Sequence, residues 1–496
     1  MEPVDVAARL RRSAERQPDR IALVWDGGQR TYGELHARAD AGTAVLQGLG
    51  VEPGDRVALV AGTTPTFVEV AAAVLRAGAV LVPLLPGLAP DELRHALSDS
   101  GARVAVVGPE RIDAVAALAD ALDGLDVVAT EEWSQRCGAA GAPVPVERRP
   151  DDLGAIVYTS GTTGRPRGAM LSRGNLAANQ DQSLAGRFEV GGDDVILLVL
   201  PLAHIYAFNV GLGSALTVGA TMVLVERFEP AATLESMVEH GVTVVLGAPA
   251  IYVAWLRTGL LDDVRLPTLR LAVSGAAPLP PAVLTGFADA TGVTIEEGYG
   301  LTEAGPSVTS NAMGPAPRPG SVGMPLPDLE FRLVDDDGGD VAPGDPGEIW
   351  VRGPNVFQGY WNDPAATAAT LTDDGWLRTG DVGARDDDGY VFLVDRKRDL
   401  IIVNGFNVYP REVERVLLDD ADVLDAAVVG VDHPLTGETV VAYVVPRRGH
   451  VDVDHLGDVC RARLARYKCP TRFEVVETLP MTASGKVRRR ELRGDD

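Results

Sequence analysis

Cysteine is scarce in this chain and positive charge is in deficit. Cys137, Cys460 and Cys469 are the cysteines among its 496 residues. An odd set without metal-ligand spacing offers no disulfide framework and no zinc site. Lys and Arg number 45 against 70 Asp and Glu, for a formal net charge of -25. That balance argues against nucleic acid as a partner, because phosphate-backbone binding needs an extended basic face. Any phosphate chemistry must therefore rest on a few cations placed locally. The opening MEPVDVAARLRRSAERQPDR lacks the apolar core of a signal peptide. One long stretch, Leu197 to Val225, carries no charged residue and is long enough for a membrane span. It reads better as two short buried strands, LLVLPL and TMVLVE, with a helix or loop between them that holds His204, Asn209 and several glycines. Continuous apolar strands are what a parallel sheet covered on both faces requires. The expectation is a cytoplasmic protein with no membrane span.

The length exceeds what one compact core usually organises, so at least two domains are expected. Short β-branched runs alternate with Ala- and Leu-rich helical runs. DRVALVAG, TFVEVAAAVLRAGAV and VLVPL read as strand, helix and strand, and the pattern returns in RVAVVG, LDVVAT and LRLAVSG. This is the grammar of βαβ units. From about Ser321 the texture changes to short strands split by Asp-Gly and Pro-Gly turns. After DRKRDLIIVNGFNVYPREVE, helix, two strands and helix predict a small α+β domain of about a hundred residues. The fold class is α/β. A large N-terminal domain, 1–395, has mostly parallel sheets and a small β-rich part; the C-terminal α+β domain is 396–496, with the boundary at Asp395 to Arg398.

The run YTSGTTGRPRG, Tyr158 to Gly168, has the makings of a phosphate cradle. Gly161, Gly164 and Gly168 allow tight turning and close approach of backbone to ligand. Ser160, Thr162 and Thr163 supply hydroxyls, and Arg165 and Arg167 can pair with phosphate oxygens. It is not a Walker loop, which needs G-x-x-x-x-G-K-[ST]. A plain surface loop after a strand is the alternative on these residues alone.

The run is similar to the signature loop of the adenylate-forming superfamily, which includes acyl- and aryl-CoA ligases, adenylation domains of peptide synthetases and firefly-type luciferases. GYGLTE (Gly298 to Glu303), RTGD ending at Asp381, DRKRDLIIVNGFNVYPREVE from Asp395 and LPMTASGKVRRREL holding Lys486 follow in the family's order. The resemblance covers essentially the whole chain. It implies two half-reactions. A carboxylate attacks the α-phosphorus of ATP, releasing pyrophosphate and leaving an acyl-AMP. A mobile C-terminal domain then turns, and the thiol of coenzyme A displaces AMP. An anion attacking a polyanion needs positive charge placed where charge builds up.

On this resemblance Lys486 bridges the carboxylate and the α-phosphate. Glu303 binds Mg²⁺, with Thr162 as a second oxygen near the metal, and Thr302 touches the α-phosphate. Tyr299 stacks on adenine, and Gly275, Ala276 and Ala277 line its edge and the acyl channel. Asp381 holds the ribose hydroxyls and Arg396 contacts ribose or phosphate. Arg398 takes the hinge position, where relatives usually carry Asp or Lys. Gly405 and Phe406 resemble the face that forms the pantetheine tunnel; a turn and a core aromatic are the alternative. Relatives usually have lysines where this chain has Arg165 and Arg167, a change from a point cation to a planar fork. The resemblance leaves a homodimer open.

The segment PLAHIYAFNVG lacks the acid that amino-acid-activating domains use for a substrate ammonium. His204, Tyr206 and Phe208 resemble the acid-pocket segment of fatty acyl- and coumarate-CoA ligases, although a histidine and aromatics beside apolar strands also suit a core. The small residues Gly275, Ala276, Ala277 and Gly300 suit an extended apolar substrate. The expected activity is a CoA ligase for a hydrophobic carboxylic acid, a fatty acid ahead of an aryl-propenoic acid. Alternatives are an adenylating enzyme that serves a carrier protein or another oxyanion instead of CoA, and a catalytically silent relative. Walker and kinase signatures are absent, which disfavours a kinase.

Overall fold

The computed structural model describes residues 5–119, 122, 124–159, 166–335, 337–396, 399–403, 406–433, 437–481 and 487–493. The chain forms two compact units, Met1–Phe331 with Val351–Leu377, and Arg332–Trp350 with Arg378–Asp496. The class is α/β with large, mainly parallel sheets, as the alternating pattern predicts.

The first unit holds two such sheets. The smaller has six strands in the order Asp126–Ala129, Val104–Val107, Arg56–Val60, Val80–Leu84, Leu153–Thr159 and Arg167–Ser172. The first five run parallel; the last pair is an antiparallel hairpin. Val57 to Val60 are wholly buried, which is why these strands read as unbroken apolar runs rather than alternating ones. Helix Pro65–Arg76 covers a face. Pro65 opens it and Thr64 Oγ1 accepts from the Phe67 amide at 3.3 Å.

The larger sheet has nine strands. Its parallel centre, in sheet order, is Ile295–Gly300, Leu271–Ser274, Val244–Gly247, Val195–Leu198, Thr221–Leu224 and Ile21–Trp25. Antiparallel strands close both edges. The two strands read from the uncharged stretch are neighbours here, paired in parallel through Ile196 and Met222. Between them lie a π-helix, Tyr206–Gly213, and a short α-helix, Ser214–Val218. Among the described residues no helix is long and apolar enough to cross a membrane. Beneath the sheet Trp255, Tyr252 and Phe287 form a fully buried aromatic cluster, with Tyr252 and Phe287 edge to face at 5.1 Å.

The second unit contains strands Leu377–Arg385 and Val391–Arg396, antiparallel members of a four-stranded sheet, and a five-stranded sheet around Gly437–Pro446. Helices Pro410–Leu418 and Val453–Arg463 pack on the latter through Val413, Val416, Leu417 and Leu456. Of the boundary expected at 395–398, residues 397 and 398 lie outside the described residues.

Candidate active site

In open parallel sheets ligands bind beyond the carboxyl ends of the strands. Three adjacent strands of the larger sheet end at Gly247, Ser274 and Gly300, and the segments that follow are those the sequence singles out. Gly275 donates its amide to the Gly247 carbonyl at 3.2 Å, which folds the chain over the strand end. Ala276 then takes φ 70°, a left-handed conformation that a side chain rarely adopts without support from its surroundings. A Cβ on Gly275 would stand 3.3 Å from the Tyr206 ring, so this glycine brings backbone against aromatic.

Tyr206 begins the π-helix, a wide-turn element of a kind that recurs at functional sites. Its amide donates to His204 Nδ1 at 3.3 Å, and the His204 carbonyl accepts from Phe208 at 2.9 Å. Phe208 is fully buried. Tyr206 is 9% exposed, yet its hydroxyl has no hydrogen-bond partner among the described residues. Burial pushes that phenol up from its ordinary pKa, so the hydroxyl stays protonated.

Tyr299 and Gly300 end the next strand, followed by a single 3-10 turn, Thr302–Ala304. A Cβ on Gly300 would lie 2.0 Å from the Pro306 carbonyl oxygen. Glycine is required there by the crossing backbone, independently of any substrate. Four buried amide side chains hold the turn from below. Asn209 Nδ2 donates to the carbonyls of Gly305 at 2.6 Å and Leu176 at 3.0 Å, and its Oδ1 accepts from Gln180 at 2.6 Å. Asn355 donates to the Ala304 carbonyl at 2.8 Å, and Asn179 bonds both the amide and carbonyl of Ser307. Asn179, Gln180, Asn209 and Asn355 are completely buried. No motif or spacing in the sequence marks these residues as site components.

Glu303 projects from the turn. Its Oε1 accepts from the Tyr360 hydroxyl at 2.7 Å, and among the described residues no bond reaches Oε2. A carboxylate fixed at one oxygen suits a hard cation such as Mg²⁺ at the other. Arg167 lies over the Tyr360 ring at 5.6 Å and pairs with Asp363 at 3.2 Å. Its charge is thus already engaged by protein groups.

Ser160 to Arg165 lie outside the described residues, but their stems do not. Thr159 and Arg167 face each other across the hairpin. His95 Nε2 donates to the Pro166 carbonyl at 2.8 Å, and Tyr158 donates to Asp99 at 2.7 Å.

In the second unit Asp381 and Arg396 are cross-strand partners in the register of their hairpin. Asp381 is buried, and its amide donates to Thr379 Oγ1 at 3.1 Å. Phe406 is 56% exposed and stacks on Tyr467 at 4.9 Å, so it is not a core aromatic. Gly405, Arg398 and Lys486 lie outside the described residues. The residues flanking 482–486 are paired: Met481 bridges Val487, and Arg488 donates to the Pro480 carbonyl at 2.8 Å. Just beyond, Arg489 is anchored on Glu414 at 2.7 and 2.8 Å.

The family model described as AMP-binding enzyme matches residues 10–361, and that of the AMP-binding enzyme C-terminal domain matches 412–486. The chain belongs to the adenylate-forming, AMP-binding enzymes. It is 40% identical over 484 residues to a feruloyl-CoA synthase of Amycolatopsis sp, covering 97% of each chain. A long-chain-fatty-acid–CoA ligase of Yersinia pestis is 35% identical over 523 residues, covering 98% of this chain and 93% of the other. Among solved structures, ATP-bound MatB from Rhodopseudomonas palustris superposes with TM-score 0.94 at 34% identity, covering 100% of this chain and 99% of that one. This member of the AMP-binding enzymes is an AMP-forming acid–CoA ligase, with ATP, CoA and a small-molecule acid as substrates.

Proposed function

We propose that this ligase activates an aryl-propenoic acid bearing a polar ring substituent, through an acyl-AMP, and transfers the acyl group to CoA. The observation that carries the choice is the buried Tyr206 hydroxyl beside Gly275, which has no partner among the described residues. A buried hydroxyl without a partner costs about 1–3 kcal/mol, and a substrate hydroxyl or ether oxygen would recover part of it. A fatty acid tail would leave it unsatisfied. Feruloyl-CoA synthase activity in a relative at 40% identity agrees with this order of preference.

In this reading the acid lies along His204, Tyr206, Phe208 and the Gly275–Ala277 turn, with Gly300 at its edge. Tyr299 stacks on adenine, Asp381 accepts from the ribose hydroxyls, and Arg396 reaches ribose or phosphate. The loop Ser160 to Arg165 grips the β- and γ-phosphates. Lys486 offsets the repulsion between carboxylate and α-phosphate while Thr302 donates to the phosphate. Glu303, with Thr162, would hold Mg²⁺, which supplies charge neutralisation on the departing pyrophosphate. The segment around Arg398 turns between half-reactions, and Gly405 and Phe406 then border the pantetheine.

The test compares kcat/KM for ferulate, cinnamate and palmitate in wild type and Tyr206→Phe. Wild type should prefer ferulate to cinnamate by about tenfold, the value of one 1.4 kcal/mol interaction, and Tyr206→Phe should erase that preference. A higher kcat/KM for palmitate than for ferulate contradicts the proposal.

A further inference from the structure

We propose that Tyr360 is a positioning residue that aims the Glu303 carboxylate, and that Arg167 and Asp363 hold this tyrosine in place. The inference rests on the reading of Glu303 as the group that holds the divalent cation.

A glutamate on a one-turn helix has three rotatable bonds and little to restrain them. Here it is tied at two points. The Phe357 amide donates to the Glu303 carbonyl at 2.9 Å, and the Tyr360 hydroxyl donates to Oε1 at 2.7 Å. The tyrosine is itself fixed. It is 8% exposed, and its ring meets Phe357 edge to face at 5.0 Å. The Arg167 guanidinium lies over the ring. Its amide donates to Thr367 Oγ1 at 2.8 Å.

Asp363 joins these parts. One oxygen caps helix Pro364–Thr370 by accepting from Ala366 at 2.9 Å; the other pairs with Arg167. Thr367, on that helix, receives the Tyr360 amide. Arg167 thus braces the tyrosine from the strand that leaves the phosphate loop. With Oε1 occupied, the carboxylate presents Oε2 in a single orientation. Groups that orient a metal ligand in this way are typically worth about 10–100-fold in metal affinity. A tyrosine that merely fills space would have no such effect.

Tyr360→Phe keeps the ring and its packing and removes one O–H. Binding of Mn²⁺ to the enzyme with a non-hydrolysable ATP analogue, followed by electron paramagnetic resonance, should weaken about tenfold. The half-saturating Mg²⁺ in pyrophosphate exchange should rise by a similar factor, with the KM of the acid unchanged. Thioester formation from supplied acyl-AMP, which releases no pyrophosphate, should keep its wild-type rate. Wild-type Mn²⁺ binding by Tyr360→Phe, or equal loss in both half-reactions, overturns the inference. Glu303→Gln separates the two levels. If it weakens Mn²⁺ binding and Tyr360→Phe does not, the positioning role alone fails. If Glu303→Gln binds Mn²⁺ as wild type does, the reading of Glu303 fails and the inference with it.

Discussion

Asn209 and Gly305 are 96 residues apart in sequence, yet the Asn209 side chain donates to the Gly305 carbonyl at 2.6 Å. One amide thereby ties the π-helix that carries Tyr206 and Phe208 to the turn that carries Thr302 and Glu303. The candidate acid pocket and the candidate phosphate-side residues are held to one another through a buried side chain.

Asn209→Leu fills the space but leaves the Gly305 and Leu176 carbonyls and the Gln180 amide without their partner. At about 1–3 kcal/mol for each stranded group, a loss of at least ~3 kcal/mol is expected, seen as a lower urea midpoint. Adenylation should fall more than thioester formation from supplied acyl-AMP, because the loosened turn serves the first half-reaction.

Two glycines should answer the same substitution differently. Gly300→Ala places a methyl 2.0 Å from the Pro306 carbonyl oxygen, which only separation of the strands could relieve. More than about 4 kcal/mol of stability should be lost, with little soluble protein recovered. Gly275→Ala meets the Tyr206 ring at 3.3 Å, a contact a side chain can ease. That protein should fold, with acid kcat/KM lowered about tenfold, the scale of one methyl group in a pocket. Circular dichroism and steady-state kinetics distinguish the two.

Asp194 supports the strand Val195–Leu198 by accepting from Arg270, Thr243 and the Gly191 amide. Burial raises its pKa, but these bonds outweigh burial and hold it below the ordinary 3.8. A depressed carboxylate contributes stability above its unfolded pKa, and that contribution is lost as pH falls through the folded value. Asp194→Asn should therefore cost about 1.5–3 kcal/mol at pH 7. The gap to wild type should close progressively below pH 3.8 in acid-unfolding curves.

The chain contains three lysines, Lys397, Lys468 and Lys486. Lys468 is paired with Glu412 at 2.7 and 2.8 Å. With so few lysines, amine-directed acetylation with peptide mapping separates modification of Lys486 from that of Lys397 and Lys468. Peptide mass spectrometry should show Lys486 protected when ATP and acid are both bound. Its modification should track loss of adenylation, while transfer to CoA from supplied acyl-AMP persists. Equal loss of both half-reactions would contradict the role.

The parts of this fold that were legible in the sequence are those with local, repeated signals. DRVALVAG and LRLAVSG announce buried parallel strands because both faces are covered, and Asp-Gly turns mark the change of texture after Ser321. The uncharged stretch resolved into two strands because its length fits two short strands and a helix as well as one span, and its polar residues sit between them. What the sequence hid depends on distant partners. Asn179, Asn209 and Asn355 have no periodicity to betray them, since each acts through carbonyls or amides far along the chain. Arginine in a glycine-rich loop points to phosphate, and nothing local announces that Arg167 also meets Asp363 and Tyr360. Its neighbours Tyr360 and Asp363 arrive from almost two hundred residues away. Gly300 reads as room for substrate; the further demand made on it by the crossing Pro306 backbone comes from the fold and has no local signal.

The central claim is that an aryl-propenoic acid is activated as its adenylate and handed to CoA. Acid-dependent exchange of labelled pyrophosphate into ATP, run with ferulate and a panel of fatty acids and followed by CoA thioester detection, tests it most directly. The expected result is exchange fastest with ferulate and a feruloyl-CoA product appearing only when CoA is added. Exchange without any CoA thioester, or exchange supported by fatty acids but not by ferulate, would contradict it.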